Sequence, residues 1–299
     1  MKQDAPLSPR ARLARVVLWM SGALISFSTM AVSLRELSRT LGVFDMLSLR
    51  SGSSLLILLA AALLRPALFA QIRTKRFDLH LARNIVHYGG TYAWSYAVTV
   101  LPLALVFTLE FTAPIWTAVL ASLFLGERLT RARIGCVALG FLGILLIMRP
   151  GASLDPRALW PLAAAVLFAI TFTITRAMTR NDSTYCILFW MNAIQLPLNL
   201  VGADWSFVWK LASAPWLAVA GVCTAGLASH FCITNAFRHG DAILVAPLDF
   251  LRIPLIALVG WRFYNEPLDP LLFAGAALII SGILWSLRSE ARRPAEAGA

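Results

Sequence analysis

Charge is what this chain has least of. Only 14% of its 299 residues are Asp, Glu, Lys or Arg, and the acids number 15 against 26 bases. Soluble domains carry about 25% charged residues, so there is too little polar side chain here to clothe a globule of this length. Cysteine is scarce as well. Cys136, Cys186, Cys223 and Cys232 all lie in apolar stretches, with no C-x-x-C pair and no His at metal-ligand spacing. They read as small packing residues, and neither a metal nor another cofactor is expected. No G-x-x-x-x-G-K-S/T loop and no H-E-x-x-H helix occurs, and no soluble stretch is long enough to hold a nucleotide. That excludes an ATP-driven pump, and the loops are too short for a receptor domain.

Apolar residues fill the space that charge leaves. The chain is 59% hydrophobic, with a mean hydropathy of +0.74. The bilayer is the sink for so much apolar surface, and each crossing needs roughly 20 mostly apolar residues. Ten apolar stretches can be marked: Val16–Leu34, Val43–Leu64, Ile85–Leu101, Leu103–Leu125 and Ile134–Met148, then Ala158–Ile174, Tyr185–Val201, Pro215–Phe237, Ala242–Phe263 and Leu271–Leu287. Pro102 is taken as the turn between the third and fourth, which would otherwise fuse. Val16–Leu34 is too long for a signal peptide and has a partner later in the chain, so it is read as a retained span.

The basic residues set the orientation. With the N-terminus in the cytoplasm, eighteen of the 26 Lys and Arg fall inside and six outside, while Arg50 and Arg252 lie within spans. That bias obeys the positive-inside rule and places both termini in the cytoplasm. The net charge of +11 is thus an orientation signal. No basic face is interleaved with aromatics, so nucleic-acid binding is not expected.

The chain also says the same thing twice. Residues 97–130 read AVTVLPLALVFTLEFTAPIWTAVLASLFLGERLT, and residues 236–269 read AFRHGDAILVAPLDFLRIPLIALVGWRFYNEPLD. One gapless offset aligns Leu109-Glu110-Phe111 with Leu248-Asp249-Phe250, Glu127 with Glu266, and Gly143-Ile144-Leu145 with Gly282-Ile283-Leu284. Two homologous halves follow, residues 1–151 and 152–299. Each holds five spans, an odd number, so the second enters the membrane inverted. The expected fold is an all-α membrane protein of ten helices in two inverted five-helix repeats, with a site near mid-membrane between them.

Several motifs carry a family resemblance. APIWTAVLASLFLGERLT at 113–130 is a proline-containing fourth span closed by a Gly-Glu-Arg-Leu turn. A glycine-rich fifth span follows, with Gly135, Gly140 and Gly143 before Met148-Arg149-Pro150-Gly151, and Arg50 comes after Phe44-Asp45 in the second span. In these features the chain resembles the EamA-type branch of the drug/metabolite transporter superfamily, from Val16 to Leu287. The second half is more diverged: Tyr264-Asn265-Glu266-Pro267 stands for Leu-Gly-Glu-Arg, and Arg252 for Ala113. The resemblance implies an inner-membrane secondary transporter that exports small metabolites by alternating access. The YddG-type amino-acid exporters are the nearest functional group, multidrug efflux is the alternative, and a membrane-integral enzyme or structural subunit fits less well. The implied partners are a small-molecule substrate and the lipid bilayer, for a monomer or weak dimer.

Glu110 and its twin Asp249 lie in the fourth and ninth spans, where an ionised carboxylate costs several kcal/mol unless paired or hydrated. Two roles stay open for them: a proton- or amine-binding site, or an internal ion pair. Arg252 follows Asp249 by three residues on the same helical face, and Arg50 is the other buried base, a partner for Glu110 in the pairing reading. Asn84, Tyr88, Thr91 and Ser95 recur at helical spacing along the third span, widened by Tyr92, Trp94 and Tyr96. The twins of Thr91 and Ser95 are His230 and Thr234, with Asn235 alongside. Tyr88, Thr91, Tyr92, Ser95, His230, Thr234 and Asn235 are expected to line a central cavity, the alternative being a polar seam between helices. Trp116 is expected in the same cavity, and Trp19 and Trp160 at the membrane interface. Pro114, Pro247 and Pro254 free backbone groups inside spans and are candidate hinges. Glu127 and Glu266 are read as helix-end caps or loop ion pairs, and Gly140, Gly143, Gly275 and Gly282 as close helix contacts.

Overall fold

The computed structural model describes residues 8–101, 106, 109–148, 156–264 and 270–292. The long elements are α1 (Pro9–Leu37), α2 (Val43–Leu64), α4 (Phe77–Val100), α6 (Arg131–Met148), α7 (Leu159–Met178), α8 (Thr184–Gly202), α10 (Trp216–His239) and α13 (Pro270–Arg292). Shorter pieces are α3 (Ala67–Gln71), α5 (Ala113–Leu125), α9 (Phe207–Lys210), α11 (Ala242–Val245) and α12 (Arg252–Tyr264). Among the described residues there is no strand, and six helices are long and apolar enough to cross a membrane. The starts are set locally. Ser8 accepts the Ala11 N–H ahead of Pro9, Ser183 accepts the Cys186 N–H, and the Gly42 N–H donates to Asp45. Leu101 ends α4 in extended geometry (φ −127°, ψ 155°), as a residue preceding proline must.

The helices pair between the halves. α1 packs along α10, α4 along α7, α2 along α8 and α6 along α13. This pattern maps onto itself when α1, α2, α4 and α6 are exchanged for α7, α8, α10 and α13. Glycine permits the α6–α13 crossing: a Cβ on Gly143 would lie 2.6 Å from the Gly275 carbonyl oxygen. The largest apolar core joins α1, α5, α6, α10, α13 and residues 242–253 through Met20, Phe111, Ile144, Phe237, Phe250 and Ile279.

Two spans read as continuous from their hydropathy are broken. In the fourth, a turn at Phe111–Thr112 precedes α5, whose second residue is Pro114. In the ninth, α11 passes into a 3-10 stretch, Ala246–Leu251, with Pro247 in its first turn, before α12 starts at Arg252 with Pro254 close behind. Ala113 and Arg252, the first residues of α5 and α12, are partners in the sequence repeat. The physical cause is shared: a proline in the first turn has no N–H to give the preceding turn, so the helix restarts there. Each acid, Glu110 or Asp249, lies three residues before the restart. Leu103 and Glu266 fall outside the described residues.

Candidate functional site

The two breaks bring the acids together. Arg252 Nη2 lies 3.0 Å from Glu110 Oε1 and 2.9 Å from Asp249 Oδ2. The Trp94 indole N–H donates to Glu110 Oε2 at 2.6 Å. The guanidinium also stacks over Phe111 and Phe27, 4.9 and 5.4 Å from their ring centroids. Two carboxylates thus face one guanidinium. Among the described residues, Asp249 Oδ1 and Arg252 Nε are buried without a hydrogen-bond partner. Arg50 takes no part in this, so an Arg50–Glu110 pair does not form. Arg252 comes from the same break as Asp249 and reaches Glu110 first.

Arg50 instead belongs to a second buried group, which Phe27 also touches. Its Nη1 lies 3.4 Å from His230 Nε2 and its Nη2 3.5 Å from Gln195 Oε1. Gln195 Nε2 reaches His87 Nδ1 at 2.8 Å and Asn84 Oδ1 at 3.2 Å. Arg83 donates to Asn84 Oδ1 at 2.8 Å and to Thr175 Oγ1 at 3.2 Å. The His87 and His230 rings meet edge to face at 5.3 Å, and Phe27 packs on His230 at 5.9 Å. All seven polar residues are buried, and they come from α2, α4, α7, α8 and α10.

The other expected lining residues lie elsewhere. The Tyr88 hydroxyl donates to the Leu198 carbonyl, Tyr92 packs on Phe44 and is 45% exposed, and Thr91 bonds back to the His87 carbonyl. Trp116 is 38% exposed, its N–H on Thr112 Oγ1. Thr234 is buried. Asn235 is tied to Thr184 and to the Phe231 carbonyl. The Ser95 side chain is outside the described residues. The polar face of α4 runs through the buried His80, Asn84 and His87 to the half-buried Thr91, with spacings of four, three and four as helical as those of the expected stripe. Arg83, assigned by hydropathy to a loop, is inside α4 and buried.

Two further polar clusters lie away from these groups. Arg133 pairs with Asp241 at 2.6 Å and Glu290 at 2.9 Å, and Arg176 with Asp241 at 3.0 Å and Glu127 at 3.4 Å. Glu127 also accepts the N–H groups of Ala242 and Ile243, both at 3.0 Å, and so caps α11 from the end of α5. Gly126, with φ at 66°, makes the left-handed turn that aims it there. Burial pushes the Asp241 carboxyl up, but the hydrogen bond and charge of Arg133, with Arg176, outweigh it and hold Asp241 below its ordinary value. The second cluster is one that sequence spacing hid: His80, Asp182 and Cys186 place their ligand atoms within 4.8 Å of one another. His80 Nε2 is 3.3 Å from Asp182 Oδ2, and Thr74 and the Ile72 carbonyl bond to the same group. We read it as an anchor for the segment between α3 and α4.

The comparisons with known proteins agree with this architecture. The family model described as EamA-like transporter family matches residues 14–149 and again 156–288. A riboflavin transporter of Rhizobium johnstonii is 32% identical over 98% of this chain and 97% of its own. A pseudopaline exporter of Pseudomonas aeruginosa is 29% identical, covering 90% and 94%. An S-adenosylmethionine uptake transporter of Rickettsia felis is 26% identical, covering 91% and 92%. A solved crystal structure superposes with a TM-score of 0.78 at 20% identity, over 94% of this chain and 99% of that one, which shows a shared fold. The chain is a multi-pass membrane protein of the drug/metabolite transporter superfamily and belongs to its EamA-like transporter family.

Proposed function

We propose that this protein is an inner-membrane secondary transporter of ten spans in two inverted repeats, 1–151 and 152–299, with both termini cytoplasmic. It moves a small amphipathic metabolite by alternating access. The observation that carries this reading is the meeting of Glu110, Asp249 and Arg252 at two matching helix breaks. Broken helices at the interface of inverted repeats are where transporters of this plan hold substrate and coupling ion. Two carboxylates against one guanidinium leave one negative charge over, and in a dry interior a proton is the cheapest neutraliser. A rocking motion that separates α5 from α12 pulls Glu110 off Arg252 and changes its hold on that proton. In this orientation the Arg133–Asp241–Arg176–Glu127 network closes the cytoplasmic end, and Pro114, Pro247 and Pro254 mark the hinges.

Amino-acid export, the expectation from the resemblance, widens to a class. The relatives above are named for riboflavin, S-adenosylmethionine and pseudopaline, and for both uptake and export. The test is flux of riboflavin, S-adenosylmethionine, pseudopaline and an amino-acid panel in proteoliposomes, with and without an imposed pH gradient. At least one should accumulate when the gradient is present. The reading fails if none crosses, or if flux is indifferent both to the gradient and to Glu110→Gln.

A further inference from the structure

The guanidinium of Arg50 is held unlike those of Arg133 and Arg252. Arg133 and Arg252 each grip two carboxylates at 2.6–3.0 Å. Arg50 has two neutral partners at 3.4 and 3.5 Å, where a good N–H···O bond is about 2.9 Å. Its Nε is buried with no partner, and the residue is 94% buried, being 6% exposed. Arg83, joined to it through Asn84 and Gln195, bonds only neutral groups as well. Among the described residues neither arginine pairs with a carboxylate. An arginine has donors only, so His230 must present an unprotonated Nε2 to Arg50 and is neutral. A neutral imidazole and an amide oxygen at long range are weak stand-ins for an anion. Buried charge without a counter-charge is costly.

We infer that Arg50, with His230, Gln195 and His87 around it and Arg83 behind, is the binding site for an anionic group of the transported molecule, a carboxylate or a phosphate. The site lies between α2 and α4 of the first half and α8 and α10 of the second, so a rocking of the halves opens or closes it. Gly226 makes room for it: a Cβ there would stand 2.6 Å from Arg50 Cγ. Glu110 and Asp249 are both engaged by Arg252, which leaves the anion uncontested. The inference rests on the transport reading and narrows it: amino acids and S-adenosylmethionine carry a carboxylate, whereas riboflavin has no ionised acid at neutral pH.

The test is equilibrium binding to the purified full-length protein in nanodiscs, read by ligand-induced shift in melting temperature, so it does not depend on flux. Matched probes are riboflavin 5′-phosphate against riboflavin and phenylacetate against phenylacetamide, with chloride and inorganic phosphate as further arms. The anionic member of at least one pair should bind about tenfold or more tighter, as a charge-assisted bond in a dry site allows. Arg50→Met should erase that preference while leaving the ligand-free melting temperature unchanged or raised, and Arg50→Lys should keep part of it. Gly226→Ala, which shifts the guanidinium without removing its charge, should weaken anion binding. Equal binding of charged and neutral members overturns the proposal, as does a preference that survives Arg50→Met. So does saturation by chloride that no organic anion displaces, which would mean an adventitious ion only. A ligand-free protein that melts much lower as Arg50→Met would make Arg50 a structural group instead. If anions bind but nothing crosses the membrane, the transport reading fails and the site stands. If a substrate crosses with no charge preference, the reverse holds.

Discussion

Two buried arginines, Arg252 and Arg50, belong to groups that both touch Phe27 and are satisfied in opposite ways. Arg252 has more negative charge around it than it can neutralise, from Glu110 and Asp249. Arg50 has none among the described residues, and shares its surroundings with a second arginine and two histidines. Inside a membrane, where water does not even out such differences, each imbalance is a demand for something mobile. The acid-rich side asks for a proton and the base-rich side for an anion. Phe27 touches both groups, with its ring centroid 5.9 Å from that of His230 and 5.4 Å from the Arg252 guanidinium.

The largest expected effect tests whether the acid side is built on Arg252. Arg252→Met strands two carboxylates and should cost about 3–5 kcal/mol, seen as lost expression and a lower melting temperature. Adding Glu110→Gln and Asp249→Asn should restore folding but not gradient-driven flux. Arg50→Met removes an unpaired charge and should cost close to nothing. Equal losses for the two single variants would erase the contrast between the sites.

Glu110→Gln probes the surplus charge directly. Arg252 keeps Asp249, so the protein should fold. Gradient-driven accumulation should fall about tenfold or more, while substrate exchange, which needs no net proton release, persists. Loss of both in equal measure would make Glu110 a binding or structural group instead.

The contrast between the two sites was only half legible in the sequence. The repeat gave the acids as twins and set Arg252 beside Asp249, because those relations are local or periodic. The breaks were hidden because Leu, Val and Ala run on across residues 103–125 and 242–263, and hydropathy does not register a turn that stays apolar. The base-rich site was missed for a different reason. Asp78, His80, Arg83, Asn84 and His87 depress the hydropathy of the first half of α4, so the apolar stretch begins only at Ile85 and leaves Arg83 outside it. The residues that lower the signal are the ones that build the site. Gln195 is one of three amides, with Asn192 and Asn199, in an otherwise apolar run, and only the packing of α8 against α2 and α4 gives it partners.

Asp241 serves as a reference for an acid that is fully paired. Its carboxyl is held below its ordinary value when folded, so its stabilising contribution is complete above the unfolded value and is lost as pH falls through the folded one. Between pH 7 and pH 3 the wild type should lose about 1 kcal/mol more stability than Asp241→Asn, a modest figure because the side chain is 37% exposed and partly screened. Thermal unfolding of the two proteins across that range measures it. An Asp241→Asn variant as acid-sensitive as the wild type would mean that the Arg133 and Arg176 contacts carry no net stability.

The smallest effect concerns Phe27, the partition itself. Phe27→Leu gives up a cation–π contact to Arg252 and an edge contact to His230, together about 0.5–1 kcal/mol. The informative quantity is how that loss depends on Arg50. If the acid side and the base side are separate sites, Arg50→Met and Phe27→Leu share no direct contact, and their effects on melting should add to within about 0.5 kcal/mol. If the ring is what keeps Arg50 from the surplus carboxylate, Phe27→Leu lets the two charges approach. Arg50 then becomes stabilising in that background alone, and the double variant falls short of additivity by more than that margin. Additivity supports two independent sites; a clear deficit would show one charge-compensated site with an aromatic wedge in it, and the demand for a separate anion would disappear.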